Sequence, residues 1–589
     1  MLTLQRRIVS VAALCLCAWG MDSTLNAAEG IPAERRLPQG TTVFFSVPNA
    51  LEAYNEFQKT SMGRLLQDES LQTVREEIED WWAKVSEDAE DDLGLPPSEL
   101  LKLFHGEIAF AVVQPPAKDL VVQPPAKDLG VVLLMDFGDN RETLDALLER
   151  AQEALEEEDG ERSVETIQET EVTIYSFVDE DADDDDEPST LVYCIKDQYL
   201  VASSSVDIVD ELLTRWDGEA DGSFADDTTY SRLMQKCQAG ESADPQVRWY
   251  VAPIDLFRSI ASMPEANQGQ VPLSMVMGFL PVLGIDKIHA VGGTATLMTD
   301  EYDTVSRTYL ALDQPISGVL KIFEFPAVDQ QPPRWVPDTA SAYSSVNWDI
   351  EGAYKAVETL VDFFQPPGTL ANLVDQLAQA GPMIHIKDDV IDSLTGRIQF
   401  LGDVREDTAT SDAAVQPMAF ALELSNEDTM KDVLDRIATS LDDNVETREF
   451  RDVTIYEAEM PNFQGGDPQM MGIAVARGQF FFATDVQLLE SYLRDDGAGE
   501  PLANSADYRR VASHFPGQTS MMSYSKASGQ VRPYYEMLRS GWLGDQIEDI
   551  DFSQLPEFDK IAHYFSLNGS YAVPDDGGAL FIGFTLHNE

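Results

Sequence analysis

The residues of this chain that could do chemistry are few and scattered. The six histidines (His105, His289, His385, His514, His563 and His587) stand singly, so no HExxH pair forms to hold zinc. His385, between Ile384 and Ile386, reads as a core or edge residue. There is no GxSxG elbow to raise a serine nucleophile, no GxxxxGK[ST] loop to cradle phosphate and no GxGxxG turn for a dinucleotide. A triad assembled in space would leave no such trace. Outside the N-terminal apolar run the cysteines are Cys194 and Cys237. An oxidising compartment would permit a Cys194–Cys237 disulfide. Self-alignment places apolar residues, Val475 and Phe515, at their repeats, which fits two buried, unlinked thiols instead.

Acidic stretches suggest cation binding. DGEADGSFADD, from Asp217 to Asp227, sets Asp217, Glu219, Asp221 and Gly222 almost as a calcium loop would. Thr228 then stands where such a loop needs a bidentate glutamate. Asp217, Glu219 and Asp221 are therefore calcium candidates only, and no metal or cofactor is assigned. The run Asp179–Glu187, DEDADDDDE, lacks the central glycine and reads as a solvated hairpin tip.

The elements that position these residues follow from composition and pattern. The chain has 589 residues, 40 Lys+Arg against 104 Asp+Glu, and a net charge of -64. That charge argues against binding nucleic acid or anionic membrane and suits a cationic or protein partner. A hydrophobic fraction of 43% is enough for packed cores. Arg6 and Arg7, the apolar run Ile8–Trp19 and the small pair Ala27-Ala28 predict a signal peptide over residues 1–28. The run is shorter than the roughly 20 residues a spanning helix needs. The expected compartment is periplasmic or extracellular, with no membrane span after signal removal. Val271–Ile285 is apolar but holds Pro272 and Pro281, so it reads as a buried helix or a lid. Its Met275 and Met277 could line a site for apolar cargo.

The chain also aligns with itself in order. Leu37-Pro38 matches Val336-Pro337, Gly106 matches Gly396, and Asn140 with its following helix matches Asn426 with its own. VTIY occurs at Val172 and at Val453, and YLVAS at Tyr199 matches FFFAT at Phe480. Tyr230 matches Tyr508, and Asp286-Lys287-Ile288 matches Asp559-Lys560-Ile561. The spacing between partners falls steadily, as two collinear copies require. Copy one is placed at 29–330 and copy two at 331–589. In copy one VVQPPAKDL, Val112–Leu120, repeats letter for letter as Val121–Leu129, a tolerated loop between strands.

Within a copy, Leu144, Leu147, Leu148, Ala151 and Leu155 have helical spacing behind Asn140. Val206, Val209, Leu212 and Leu213 predict a second helix. TLVYCIK and YLVASSS, joined by Asp197-Gln198, read as a hairpin. Runs of hairpin strands with intermittent helices predict an α+β fold: two tandem homologous copies, each a largely antiparallel sheet with helices on one face.

LPQGTTVFFSVPN, then FQKTSMGRLLQDESLQ, then GEIAF resemble a family of secreted, signal-peptide-bearing bacterial proteins of unknown function, of the kind common in planctomycetes. The resemblance rests on Leu37-Pro38, Ser61-Met62-Gly63, Gly106 and Ala483-Thr484-Asp485. It implies export and architecture and supplies no catalytic residues. Taken together, the expected function is an extracytoplasmic, non-enzymatic binding, scaffold or assembly protein. The alternatives are a secreted hydrolase with a site assembled in space, or a carrier or chaperone for apolar cargo.

Overall fold

The computed structural model describes residues 30–78, 103–114, 129–157, 160–177, 189–241, 243–263, 265–267, 272–403, 418–441, 445–460, 469–494, 500–541 and 550–588. The predicted signal peptide, the run Asp179–Glu187 and most of the nine-residue repeat lie outside them. The described chain is mixed α+β and forms two compact units. The first gathers residues up to Gly278 with Ile288–Asp300 and Ser306–Ala311; the second gathers Phe279–Lys287, Glu301–Val305 and everything from Leu312.

In the first unit the strands are β1 (Thr41–Val47), β2 (Ile108–Val113), β3 (Gly130–Asp136), β4 (Glu161–Ile167), β5 (Thr170–Phe177), β6 (Ser189–Lys196), β7 (Tyr199–Ser203), β8 (Val247–Val251), β9 (Ile288–Leu297) and the Ser306–Ala311 part of β10 (Tyr302–Leu312), whose two ends are counted with the second unit. They lie in the order β10-β9-β8-β1-β2-β3-β7-β6-β5-β4. Each pairing from β9 to β4 is antiparallel. The helices used below are α1 (Ala50–Lys59), α2 (Ser61–Leu66), α3 (Arg141–Glu157), α4 (Val206–Thr214), α5 (Thr228–Gln238) and α6 (Pro253–Ser262).

The second unit repeats this order. Its strands are β11 (Ala340–Asn347), β12 (Leu394–Asp403), β13 (Met418–Leu424), β14 (Glu446–Phe450), β15 (Val453–Met460), β16 (Gln469–Ala476), β17 (Gln479–Ala483), β18 (Met521–Lys526), β19 (Leu567–Asp575) and β20 (Gly578–Leu586). They run β20-β19-β18-β11-β12-β13-β17-β16-β15-β14, all antiparallel. Between them come α7 (Ile350–Phe364), α8 (Thr369–Ala380), α9 (Glu427–Leu441), α10 (Val486–Leu493), α11 (Ala506–Ala512) and α12 (Ala527–Arg539), each in the place of its first-unit counterpart.

The periodicity of Leu144 to Leu155 becomes α3, with Leu144 and Leu155 buried. Asn426 caps α9 by accepting from the Thr429 amide at 3.2 Å. The Asp197-Gln198 turn closes β6 onto β7, with Asp197 at φ 54. Three expectations are corrected. First, helices cover both faces of the sheet. Ala474 packs in one core with Leu488 and Leu489 of α10, while its neighbour Val475 packs in another with Val433 and Leu434 of α9. Alternation along a strand sends adjacent residues to opposite faces, so each needs its own helix. Second, β8 and β18, which were not among the strands expected above, fill the place beside β1 and β11.

Third, the ladders shift four of the matched pairs: Cys194 with Val475, YLVAS with FFFAT, the two VTIY runs, and Asp286-Lys287-Ile288 with Asp559-Lys560-Ile561, where Ile288 opens β9 but Ile561 ends a short helix. Cys194 stands opposite Val172 and Val201, whereas Ala474, not Val475, stands opposite Ile455 and Phe481. Val172 thus holds the place of Ile455, and the second VTIY lies two residues earlier along its strand than the first. Two-residue turns fix this register, since Gln168-Glu169 and Arg451-Asp452 are all at positive φ and close Ile167 on Thr170 and Phe450 on Val453. A slip of two keeps every side chain on its original face.

Candidate binding site

Two regions gather the side chains that matter, one polar and buried, the other apolar and open. The polar one begins with the strap Gly30–Pro38, whose one-turn helix Ala33–Arg36 buries Ala33, Glu34 and Arg36. The Ala33 amide donates to Glu107 Oε1 at 3.0 Å, and Ser46 Oγ of β1 donates to the same oxygen at 3.1 Å. Glu34 takes Arg248 of β8 as its ion pair at 2.7 Å. The Arg36 guanidinium carbon lies 4.1 Å from the ring centroids of both Tyr199 and Trp216, in the angle between two rings that meet edge to face. The two arginines are therefore engaged elsewhere, and Glu107 is held by neutral donors. Burial raises its pKa from 4.5 to about 7, the neighbouring Glu34 pushing the same way against the two hydrogen bonds and Arg36.

The second unit sets a different chemistry at the same place. Arg397 stands two residues before Gln399, as Glu107 stands two before Ala109; Ser345 faces Gln399, as Ser46 faces Ala109. Arg397 Nε donates to Ser345 Oγ at 3.1 Å, and its Nη2 donates to the Gln331 carbonyl at 2.7 Å and to Tyr343 Oη at 3.2 Å. Tyr343 Oη donates to Gln399 Oε1 at 3.0 Å, and Gln399 Nε2 donates to Gln479 Oε1 at 2.9 Å. Neither polar network lines either of two clefts among the described residues, one on the Gln168–Glu171 turn beside Lys196, the other in the second unit between α9 and β15–β16.

That second cleft is the apolar region. It has a volume of about 270 Å³ and is lined by Leu434, Ile437 and Leu441 of α9 and by Tyr456, Met471 and Ile473 of the sheet. Ile473 stands opposite Phe482, Phe482 opposite Phe420, and Phe420 opposite Phe400, so an aromatic row runs from the cleft across β17, β13 and β12. Phe420 and Phe482 stack at 4.9 Å. At the far end Phe400 is 50% exposed and Met418 55%. In the first unit the corresponding row reads Tyr193, Ala202, Leu133, Phe110, Phe45 and Trp249, each half-buried. The row was missed in sequence because it is built from one residue in each of several strands.

The residues singled out in the sequence are not brought together. Cys194 and Cys237 are free and buried, on β6 and α5, so the bridge considered for them is not formed. Cys237 Sγ lies 3.9 Å from the Gly292 carbonyl. Burial pushes the Cys194 thiol up to about 11 and the Cys237 thiol up to about 12, far from a reactive thiolate. Asp217, Glu219 and Asp221 are exposed, and Asp217 Oδ1 accepts from the Glu219 amide at 3.1 Å. Among the described residues no group of three or more His, Cys, Asp or Glu gathers to hold an ion. Met275 and Met277 lie on a short helix, Leu273–Met277, with Met275 59% exposed. No helix among the described residues is long and apolar enough to cross a membrane.

Comparison with models of known protein families, with curated proteins and with solved structures gives no match.

Proposed function

We propose that this is an extracytoplasmic, non-enzymatic binding protein whose second unit takes an apolar ligand on the face of its sheet, and that its two units descend from one duplicated ancestor. The observation that carries the binding reading is the row Phe400, Phe420, Phe482 with its exposed end and its continuation into the cleft under α9. A half-exposed Phe400 beside the partly buried, stacked pair Phe420 and Phe482 supplies apolar contact area on a sheet at low ordering cost. The common strand order supports the duplication, and the Arg6-Arg7 flank and apolar run support export. The hydrolase reading is weaker, because the carboxyl with the most catalyst-like proton affinity, Glu107, is sealed away from both clefts.

A neutral dye such as N-phenyl-1-naphthylamine tests this without charge repulsion. Saturable fluorescence enhancement is expected, weakened about tenfold or more by Phe400→Asp, since burial of such a ring contributes about 1.5–3 kcal/mol. The melting temperature should stay unchanged because Phe400 is half exposed. Absence of saturable binding, or binding indifferent to Phe400→Asp, would overturn the reading.

A further inference from the structure

We propose that the strap Gly30–Pro38 is a pH-responsive latch, closed most firmly at acidic pH and loosened at alkaline pH, whereas the matching strap of the second unit, Gln330–Pro337, is not. Both straps lie in the same way on their own units. Phe224 N donates to the Leu37 carbonyl and Pro38 bridges Ser223 in the first; Leu502 N donates to the Val336 carbonyl and Pro337 bridges Pro501 in the second. They differ in what the sheet offers. Where the first strap has Ala33, the second has Pro332, which carries no N–H. A carboxylate there would have nothing to accept, and the second unit has Arg397 instead, donating to the preceding carbonyl of Gln331. An arginine keeps its charge across the accessible pH range, so the second latch is fixed.

The first latch rests on an acid without a touching counter-ion. The ionisable groups around Glu107 are Glu34 and Arg36 of the strap, Asp136 of β3, Tyr199 of β7, Tyr230 of α5 and Arg248 of β8. The two cations are committed, Arg248 to Glu34 and Arg36 to the rings of Tyr199 and Trp216. Glu107 is 5% exposed while the strap is closed. Its folded pKa is raised, so its contribution is full below 4.5 and is lost as pH rises through about 7. Lifting the strap returns the carboxyl to water, and opening therefore gains from ionisation.

Hydrogen exchange on the full chain, corrected for intrinsic rates, reads the two straps side by side. Protection of 30–38 should fall by about tenfold or more between pH 5.5 and pH 8.5, while 330–337 stays level. Glu107→Gln should flatten the response of the first strap. Ser46→Ala removes a donor to the charged form and should move the midpoint to higher pH, which keeps the test open if Glu107→Gln folds poorly. A flat profile for residues 30–38 in the unaltered protein, an equal fall in both straps, or a full response in folded Glu107→Gln would overturn the latch.

Discussion

Beneath its strap the first unit places Glu107 and Arg248, with Glu34 on the strap, where the second places Arg397 and Met522, with Pro333 on the strap. Ladder position fixes the sheet residues of this correspondence: Arg248 faces Ser46 across β1–β8, and Met522 faces Ser345 across β11–β18. The residues change in sets. Where the first unit has the Glu34–Arg248 ion pair, the second has a proline and a methionine, so neither charge stands there without the other. Phe44, packed edge-on against Phe224 and Tyr230, corresponds to Tyr343, and Ala109 opposite Ser46 corresponds to Gln399, which the Tyr343 hydroxyl reaches. One backbone frame thus carries two different interior chemistries, each with its own set of hydrogen bonds within its unit.

The comparison is broken most directly by crossing the sets. Arg397→Glu puts a carboxylate beside the Gln331 carbonyl and Pro332, with no donor from the strap. We expect a loss of about 3 kcal/mol in the unfolding of the second unit, against about 1–2 kcal/mol for Arg397→Met, which removes the donor without burying an acid. Chemical denaturation of both variants decides it. If the glutamate is no worse than the methionine, the strap does not select the charge of the sheet residue.

A smaller effect comes from exchanging single hydroxyls. Tyr343→Phe leaves Gln399 Oε1, on a side chain with no exposed surface, without its donor. Phe44→Tyr brings a hydroxyl towards Ala109, which can accept nothing from its side chain. Each should cost about 1–2 kcal/mol, so that two opposite changes at corresponding positions destabilise alike. Thermal unfolding that shows either one neutral would mean that the interior polar sets are interchangeable piecemeal.

What could be read in the sequence follows the range of the signals. Elements with local periodicity were legible: α3 behind Asn140, α4 with Leu212 and Leu213 buried, and the β6–β7 hairpin. The order of matched segments also pointed to one strand order used twice. The polar cluster was not legible, because Ala33, Ser46, Glu107 and Arg248 meet only through tertiary pairing. Nor did the tetrapeptide VTIY give its own register, since the preceding turns, not the residues of the strand, set it. The calcium candidates matched a calcium loop by their spacing, yet among the described residues no group of three or more His, Cys, Asp or Glu gathers to hold an ion.

The smallest expected effect concerns those candidates. Asp217, Glu219 and Asp221 are exposed, and one oxygen of Asp217 is already used by the backbone of its own turn. Gly218 at φ 69 and Gly222 at φ 83 shape the loop as tight turns, with Ser223 and Asp226 forming a capping box just beyond. Thr228 offers one hydroxyl where two carboxylate oxygens would be needed. An acidic protein gains stability from any divalent ion by screening, so magnesium at matched ionic strength is the reference. Calcium and magnesium should raise the melting temperature equally, and Asp217→Ala with Asp221→Ala should leave both increments in place. A calcium-specific rise that this double variant abolishes would make the loop a cation site of the first unit and add a second functional difference between the two sheets.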